Sequence, residues 1–358
     1  MLVHICCSVD SHFFLQKLQL VYPHETLIGF FYDPNIHPFS EYSLRLLDVK
    51  RSCQKLGISL HVGEYDYEGW IEAVRGLEHE PEKGKRCLVC FDNRLEKTAL
   101  KALELGEKKI TTTLLTSPKK SIESLQKSLL EIVQKFDLEM VAPDFRKNGG
   151  TTEQFVLAKK DQLYHQDYCG CLFALSVQRE QQQRLKDELI SPLSHQVLPS
   201  SIEERIALYE KVIAYEDEGI TFKLKREKFL NYRLLRAWVK NAQQVVIPSY
   251  FLFYSYFKNE ITKGNLDDKG FFTKEEVQFV TVETFNEIAN TSYKNVADML
   301  KNPPPIEQEI DFRMQFLETK LLSLSPLVIV DCIEKGQYEI YALSQTYHDI
   351  RENLVLMR

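Results

Sequence analysis

Three short stretches carry thiols at spacings suited to metal or redox chemistry. HICCSVDS (residues 4–11) sets Cys6 beside Cys7 with Asp10 three residues on; RCLVC holds Cys87 and Cys90; YCGC holds Cys169 and Cys171 around Gly170. Adjacent cysteines point to opposite sides of an extended strand, so Cys6 and Cys7 can face one centre only where the chain turns. The segment from Cys87 reads as the start of a helix, and i, i+3 spacing puts Cys87 and Cys90 on one face. The free N–H groups and positive dipole end of a first turn would stabilise thiolates there. Gly170 lets the backbone approach whatever its flanking sulfurs hold. Six thiolates exceed the four that one tetrahedral zinc or one cubane cluster takes. Either the surplus serves a second metal or redox role, or one pair is unrelated; a structural zinc site made from four of the six is the plainer alternative. Cys53 and Cys332 stand alone and read as small buried hydrophobes.

The chain that must position these groups has 358 residues, enough for two domains at roughly 150 residues each. Its net charge of −6 argues against coating nucleic acid through bulk positive charge, and leaves room for a local basic patch. No apolar run approaches the ~18 residues of a membrane span. The N-terminus lacks the pattern of a signal peptide. A cytoplasmic protein without structural disulfides is expected, which makes the paired cysteines ligands rather than staples.

Residues 1–189 alternate short apolar runs with helical patterns. Strands are expected at 2–5, 26–32, 59–63, 109–115 and 138–143, and helices at 11–20, 40–56, 66–75, 90–105, 119–136 and 151–163. Strands spaced by helices imply a doubly wound, mostly parallel α/β sheet, whose ligands lie beyond the carboxyl ends of the strands. Cys6 and Cys7 follow the first strand, so they should line that crevice. A break follows at 190–200, with two prolines and several serines. Residues 200–358 read as a smaller α+β extension that serves partner binding. It starts with a capped helix at 201–217 and continues with β-like runs at 245–257 and 277–285, then a pair at 326–333 and 337–350 joined by an EKG hairpin turn.

Beyond these local patterns, HICC, FFYDPNIHPFSEY, RLLDVKRSCQKLGISL, the segment 66–99 ending in RCLVCFDNRLEKTA, TTTLLTSPKK and YCGCLFAL resemble, in order and spacing, the QueH family of epoxyqueuosine reductases over residues 1–180. The resemblance implies an adenine-nucleotide-hydrolase-like (HUP) α/β fold and a [4Fe–4S] cluster with an adjacent metal ion. It also implies reduction of epoxyqueuosine to queuosine at the wobble position of tRNA. Cys6, Cys7, Cys87, Cys90, Cys169 and Cys171 then become metal ligands, which accounts for their surplus. One departure matters: many members continue the first motif as CCxPC, whereas this chain reads Ser8-Val9-Asp10. Asp10 in place of a thiolate makes the second site harder, which suits iron with an open position.

Removing the epoxide oxygen as water takes two electrons and two protons, so a metal held by Asp10 would act as Lewis acid. FYDPNIHP would carry Tyr32, Asp33, Asn35 and His37 into the same crevice, His37 as proton donor and Asp33 or Asn35 on the deazaguanine edge. Arg45, Arg86 and Arg94 are candidates for phosphate or for salt bridges. The basic stretch 223–240, interleaved with Phe229, Tyr232 and Trp238, offers Arg233 and Arg236 to the tRNA backbone, or else forms an amphipathic helix. No ferredoxin-like cysteine run, flavin motif or nicotinamide fingerprint is present, so an external electron-donor protein is expected. A PP-loop-related tRNA-modifying enzyme is the other alternative; it needs a glycine-rich phosphate loop where this chain reads CCSVDS.

Overall fold

The structure, a computed structural model, describes residues 1–118, 120–190 and 196–357, so five residues of the expected break lie outside the described residues. The chain divides into two compact units. The first holds residues 1–189, 205–224 and 354–358, and the second holds residues 190–204 and 225–353.

The first unit alternates as the apolar runs require. Strand β1 (Leu2–Ile5) leads to α1 (Ser8–Val21), β2 (Ile28–Phe31) to α2 (Phe39–Leu56), and β3 (Ser59–Val62) to α3 (Tyr67–Ala73) and α4 (Lys85–Leu105). Then come β4 (Lys109–Thr112), a 3-10 turn at 113–116, α5 (Ile122–Phe136), β5 (Glu139–Met140), α6 (Gly150–Lys160) and α7 (Leu172–Gln181). Helix α2 ends because Gly57 adopts the left-handed conformation (φ 66°), and Gly106 ends α4 in the same way (φ 73°). On α5, Leu125, Leu129, Ile132 and Val133 are buried at the 3–4 spacing that makes one apolar stripe. Each such side chain removed from water stabilises the fold by roughly 1.5–3 kcal/mol.

All five strands run parallel in the order β3-β2-β1-β4-β5. The order reverses direction between β1 and β4, and a crevice opens at the carboxyl ends on either side of such a reversal. The β4 expectation was three residues too long because Leu114 and Leu115 continue the apolar run after the backbone has entered the 3-10 turn.

Helix α8 (Ile202–Asp217) is followed by β6 (Phe222–Asn241), β7 (Val246–Ile247), β8 (Tyr250–Phe251), β9 (Ile261–Leu266), β10 (Gln278–Thr281), α9 (Val282–Ala289), α10 (Val296–Lys301), α11 (Ile306–Phe316), β11 (Leu327–Val330) and β12 (Gly336–Leu356). Two sheets result, ordered β10-β11-β8 and β7-β6-β12-β9. The EKG hairpin does not exist. Every residue of β11 is buried, and it pairs with β10 and β8, while β12 pairs with β9 in the other sheet. The basic stretch is a 20-residue strand, not a helix. Among the described residues no helix is long and apolar enough to cross a membrane.

Candidate functional site

Cys6 and Cys7 form the turn between β1 and α1, which is the condition for two adjacent cysteines to serve one centre. Cys6 is fixed from the far side of the sheet reversal: its N–H donates to Thr113 Oγ1 (3.3 Å), and its Sγ lies 3.6 Å from the same oxygen. Cys6 Sγ also lies 3.8 Å from Cys7 Sγ and 3.8 Å from Asp10 Oδ2. The ligand atoms of Cys6, Cys7 and Asp10 all fall within 4.8 Å of one another. Buried Gln154, on α6, donates to Asp10 Oδ1 at 2.7 Å and orients the carboxylate. Burial raises the pKa of Asp10 against hydrogen bonds from Cys7, Gln154 and Cys6. The contact with Cys6, followed by burial and the nearby Asp10, raises that of Cys7. Two soft sulfurs and a hard oxygen, crowded and short of positive charge, form a donor set that a transition-metal ion would satisfy.

A cleft of about 320 Å3 opens here, lined by Cys6, Asp10, Cys87, Cys90, Cys169 and Cys171, with Val9, Trp70, Phe91 and Leu114 as apolar wall. Five of the six paired thiols therefore meet at one place. Gly84 caps α4 and the helix starts at Lys85, so Cys87 sits in the first turn and Cys90 a turn deeper. Burial pushes the pKa of Cys90 up, only partly opposed by Arg94. Cys169 is held well below the usual thiol range by a hydrogen bond from Cys171 and by the charge of Lys120; the same bond raises Cys171. Gly170 has φ 99°, and a Cβ there would lie 2.8 Å from Ile36 Cγ1, so both its conformation and the close approach demand glycine.

The loop after β2 splits in two. Asp33 and Asn35 line the cleft; Tyr32 and His37 do not. Tyr32 stacks on Phe30 in the core (5.9 Å), and burial lifts its pKa to about 12. His37 stacks on Tyr67 (4.9 Å), and its role is carried by its backbone: its N–H donates to Gly170 O (2.9 Å) and its carbonyl accepts from Tyr168 Oη (2.7 Å). Burial lowers the pKa of its ring. These bonds clamp the loop to the Cys169–Cys171 turn, and Asn35 Nδ2 adds a long contact to Cys169 O (3.5 Å).

The three arginines of this region line the cleft but are buried and committed to internal partners. Arg45 pairs with Glu41 (2.7 Å) and donates to Tyr168 O (3.0 Å). Arg86 Nη1 holds the carbonyls of Leu77, Glu78 and Glu80. Arg94 pairs with Asp33 Oδ1. Burial nonetheless outweighs Arg94 and Arg45 and lifts the pKa of Asp33 to about 6.

In the second unit Arg233 is buried and donates to Pro199 O (2.7 Å), Asn231 Oδ1 (2.6 Å) and Tyr232 O (2.9 Å), so the expectation that it meets phosphate gives way to a structural role. Arg236 is exposed and lies over Trp238 (4.8 Å). Cys53 is buried as expected, whereas Cys332 is exposed.

Sequence reasoning missed Gln154, Lys120 and Gln166. Lys120 lines the cleft 3.8 Å from Glu82; burial works against its charge, but Cys169, Cys87, Glu82 and Cys90 hold its pKa above the ordinary value. Only its place in TTTLLTSPKK could have pointed to it.

Sheet, switch-point crevice and gathered thiols define a parallel α/β protein built around a thiol-lined ligand cleft. A family model described as epoxyqueuosine reductase QueH matches residues 1–177. A relative from Helicobacter pylori (strain ATCC 700392 / 26695), named epoxyqueuosine reductase QueH, is 40% identical over 353 residues, covering 92% of this chain and 94% of its own. Relatives of the same name from Acinetobacter baylyi (36% identical; 49% of this chain, 80% of theirs) and Thermotoga maritima (34% identical; 50% and 92%) match about half of this chain. The chain belongs to the QueH family of epoxyqueuosine reductases. Among solved structures, an aminopeptidase from Aneurinibacillus sp. strain AM-1 aligns at TM-score 0.24 and 11% identity over 44% of this chain and 43% of its own, too weakly to bear on the fold.

Proposed function

We propose that the reduction for which the family is named takes place in the cleft between the Cys6 turn and the Cys169–Cys171 turn. Epoxyqueuosine at the wobble position of tRNA takes up two electrons and two protons, both C–O bonds of the epoxide break, an alkene forms, and the oxygen leaves as water. The observation that carries this reading is the meeting of five paired thiols and Asp10 at the reversal point of the sheet. The strand order also supports the HUP assignment.

The donor sets fit two metal groups. Cys6, Cys7 and Asp10 would hold a single ion, which we assign as iron. Cys87, Cys90, Cys169 and Cys171 supply the four sulfurs of a [4Fe–4S] cluster. When bound, these groups would supply single-electron transfer and a Lewis acid for the epoxide oxygen. Gln154 fixes the Asp10 carboxylate through Oδ1 and leaves Oδ2 toward Cys6. Trp70, Phe91, Leu114 and Val9 exclude water from the reacting centre. Lys120 keeps its proton among the thiols and is less committed than the three arginines, so its Nζ, rather than the His37 ring, serves as hydrogen-bond donor to the departing oxygen. Asp33 and Asn35 face the base. The tRNA substrate fits a cytoplasmic enzyme, with electrons delivered by a separate protein.

Anaerobic incubation of the reconstituted chain with epoxyqueuosine-containing tRNA and a strong reductant, followed by nucleoside mass spectrometry, tests the reading. Queuosine should appear with a brown, iron-loaded protein. A colourless zinc-loaded preparation that performs the same conversion would reject the metal assignment, and no conversion by iron-loaded protein would reject the activity.

A further inference from the structure

Three acceptor atoms in the cleft of the first unit have no partner: Asp33 Oδ2, Asn35 Oδ1 and Gln166 Oε1 are all shielded from solvent and all belong to residues that line the same cleft. The orientation of two of them is fixed. Arg94 holds Asp33 through Oδ1, which leaves Oδ2 free, and the Nδ2 of Asn35 is directed at Cys169 O, which leaves Oδ1 free. Asp33 and Asn35 are 1% and 2% exposed, so neither oxygen can turn to bulk water. Leaving a buried acceptor unpaired is costly, and the great majority of buried polar atoms have a partner. Among the described residues, three orphaned acceptors in one cleft are the imprint of a missing set of donors.

We infer that Asp33, Asn35 and Gln166 form a reader for the 2-amino-6-oxo edge of a 7-deazapurine, so that the cleft selects its base by the 2-amino group. That edge carries three N–H donors, one on N1 and two on the exocyclic nitrogen, which matches three acceptors in number and in kind. A 6-oxo base lacking the 2-amino group offers one donor and strands two buried acceptors. An adenine-type edge presents an acceptor at N1 to the carboxylate. Sites built to bond a substrate N–H reject analogues without it far more strongly than apolar pockets reject a missing methylene. Gln166 is the new member: it lies in the loop before Tyr168 and has no periodic signal in the sequence. This inference rests on the cleft being the site of reduction proposed above.

The test needs no electrons. Binding of 7-deazaguanine and of 7-deazahypoxanthine, which lacks the 2-amino group, is measured by calorimetry on the full-length, metal-loaded chain without reductant. The wild type should bind 7-deazaguanine at least about tenfold more tightly. Gln166→Met, at a half-buried position where folding is not at stake, should reduce that ratio about threefold or more. Asn35→Leu should bring it close to one if the variant folds by circular dichroism. Equal affinity of the wild type for the two bases, or a ratio unchanged by Gln166→Met, overturns the inference. Failure of the epoxide reduction with the binding ratio intact would instead overturn the activity assigned to the cleft, so the two can be told apart.

Discussion

Asp33 in the first unit and Glu309 in the second are both buried carboxylates near an arginine, and the two are treated in opposite ways. Asp33 in the first unit is paired with Arg94 through one oxygen and leaves the other bare toward the cleft. Glu309 in the second unit is saturated: Gln196 Nε2 (2.6 Å) and Tyr250 Oη (2.6 Å) donate to Oε1, and Phe253 N (2.6 Å) donates to Oε2. Burial raises both pKa values, Asp33 to about 6 and Glu309 to about 7. Both acids therefore cost stability when ionised. Glu309 recovers part of that cost through both oxygens, by three donors that tie α11, β8 and the segment at Gln196 together, whereas Asp33 recovers it through one oxygen only, at Arg94. Asp33 keeps an unmet acceptor, which is what a binding group looks like before its ligand arrives.

The largest effect expected from this contrast is in the second unit. Glu309→Ala strands three buried donors and opens a cavity, and should destabilise the protein by about 3–5 kcal/mol in urea unfolding. Turnover per folded molecule should stay unchanged at low temperature. A loss of activity in the folded variant would mean that Glu309 is not merely architectural.

The pH dependence of stability comes next. A carboxyl whose folded pKa lies above its unfolded value binds its proton more tightly in the native state. Its contribution is complete below the unfolded pKa and is lost as pH rises through the folded one. For Glu309 the window runs from about 4.5 to about 7 and is worth about 3 kcal/mol. The unfolding midpoint should therefore fall between pH 5 and 8, and Glu309→Gln should flatten most of that fall. A midpoint that rises over this range in the wild type would contradict the burial argument.

Asp33 should respond to pH through catalysis as well. As an ionised acceptor it loses function when protonated, so kcat/KM for tRNA should drop as pH falls through about 6, roughly tenfold per unit below it. Asp33→Asn should abolish that inflection and raise KM more than it lowers kcat, while Glu309→Gln should leave the profile in place. If both variants shift the inflection, or neither does, the division between open and saturated carboxylates fails.

The same division sets what was legible in the sequence. Strand β1 was read to the residue, and β2 and β3 to within two, because short apolar runs ended by turn residues depend only on local chemistry. The thiol spacings were equally local, and they led to the cleft. Contacts that join distant parts of the chain left no such mark. Gln154 reaches Asp10 across 144 positions, and nothing in α6 distinguishes it from a solvent-facing glutamine. The separation of β11 from β12 was hidden for the same reason: each reads as a good strand, and only the burial of all four β11 residues decides that its partners are β10 and β8. Asp33 and His37 sit four residues apart in one loop, and chemistry alone favoured the histidine. The cleft took the aspartate, while the ring of His37 is stacked on Tyr67 away from its lining.

The smallest effect is expected on β6, where the strand itself repeats the contrast. Arg233 and Arg236 differ by an odd number of residues, so they project from opposite faces of the strand, which the alternative of an amphipathic helix would not have required. Arg233 is spent on three internal acceptors, and Arg233→Ala should lower stability without touching the salt dependence of tRNA binding. Arg236 is exposed above Trp238, which leaves its charge available to a phosphate. Arg236→Ala should weaken tRNA binding by only about two- to fivefold, while the slope of log K against log salt becomes shallower by about one, the signature of a single lost phosphate contact. An unchanged slope would place the RNA elsewhere and leave the exposed arginine, like the buried one, to the architecture of the sheet.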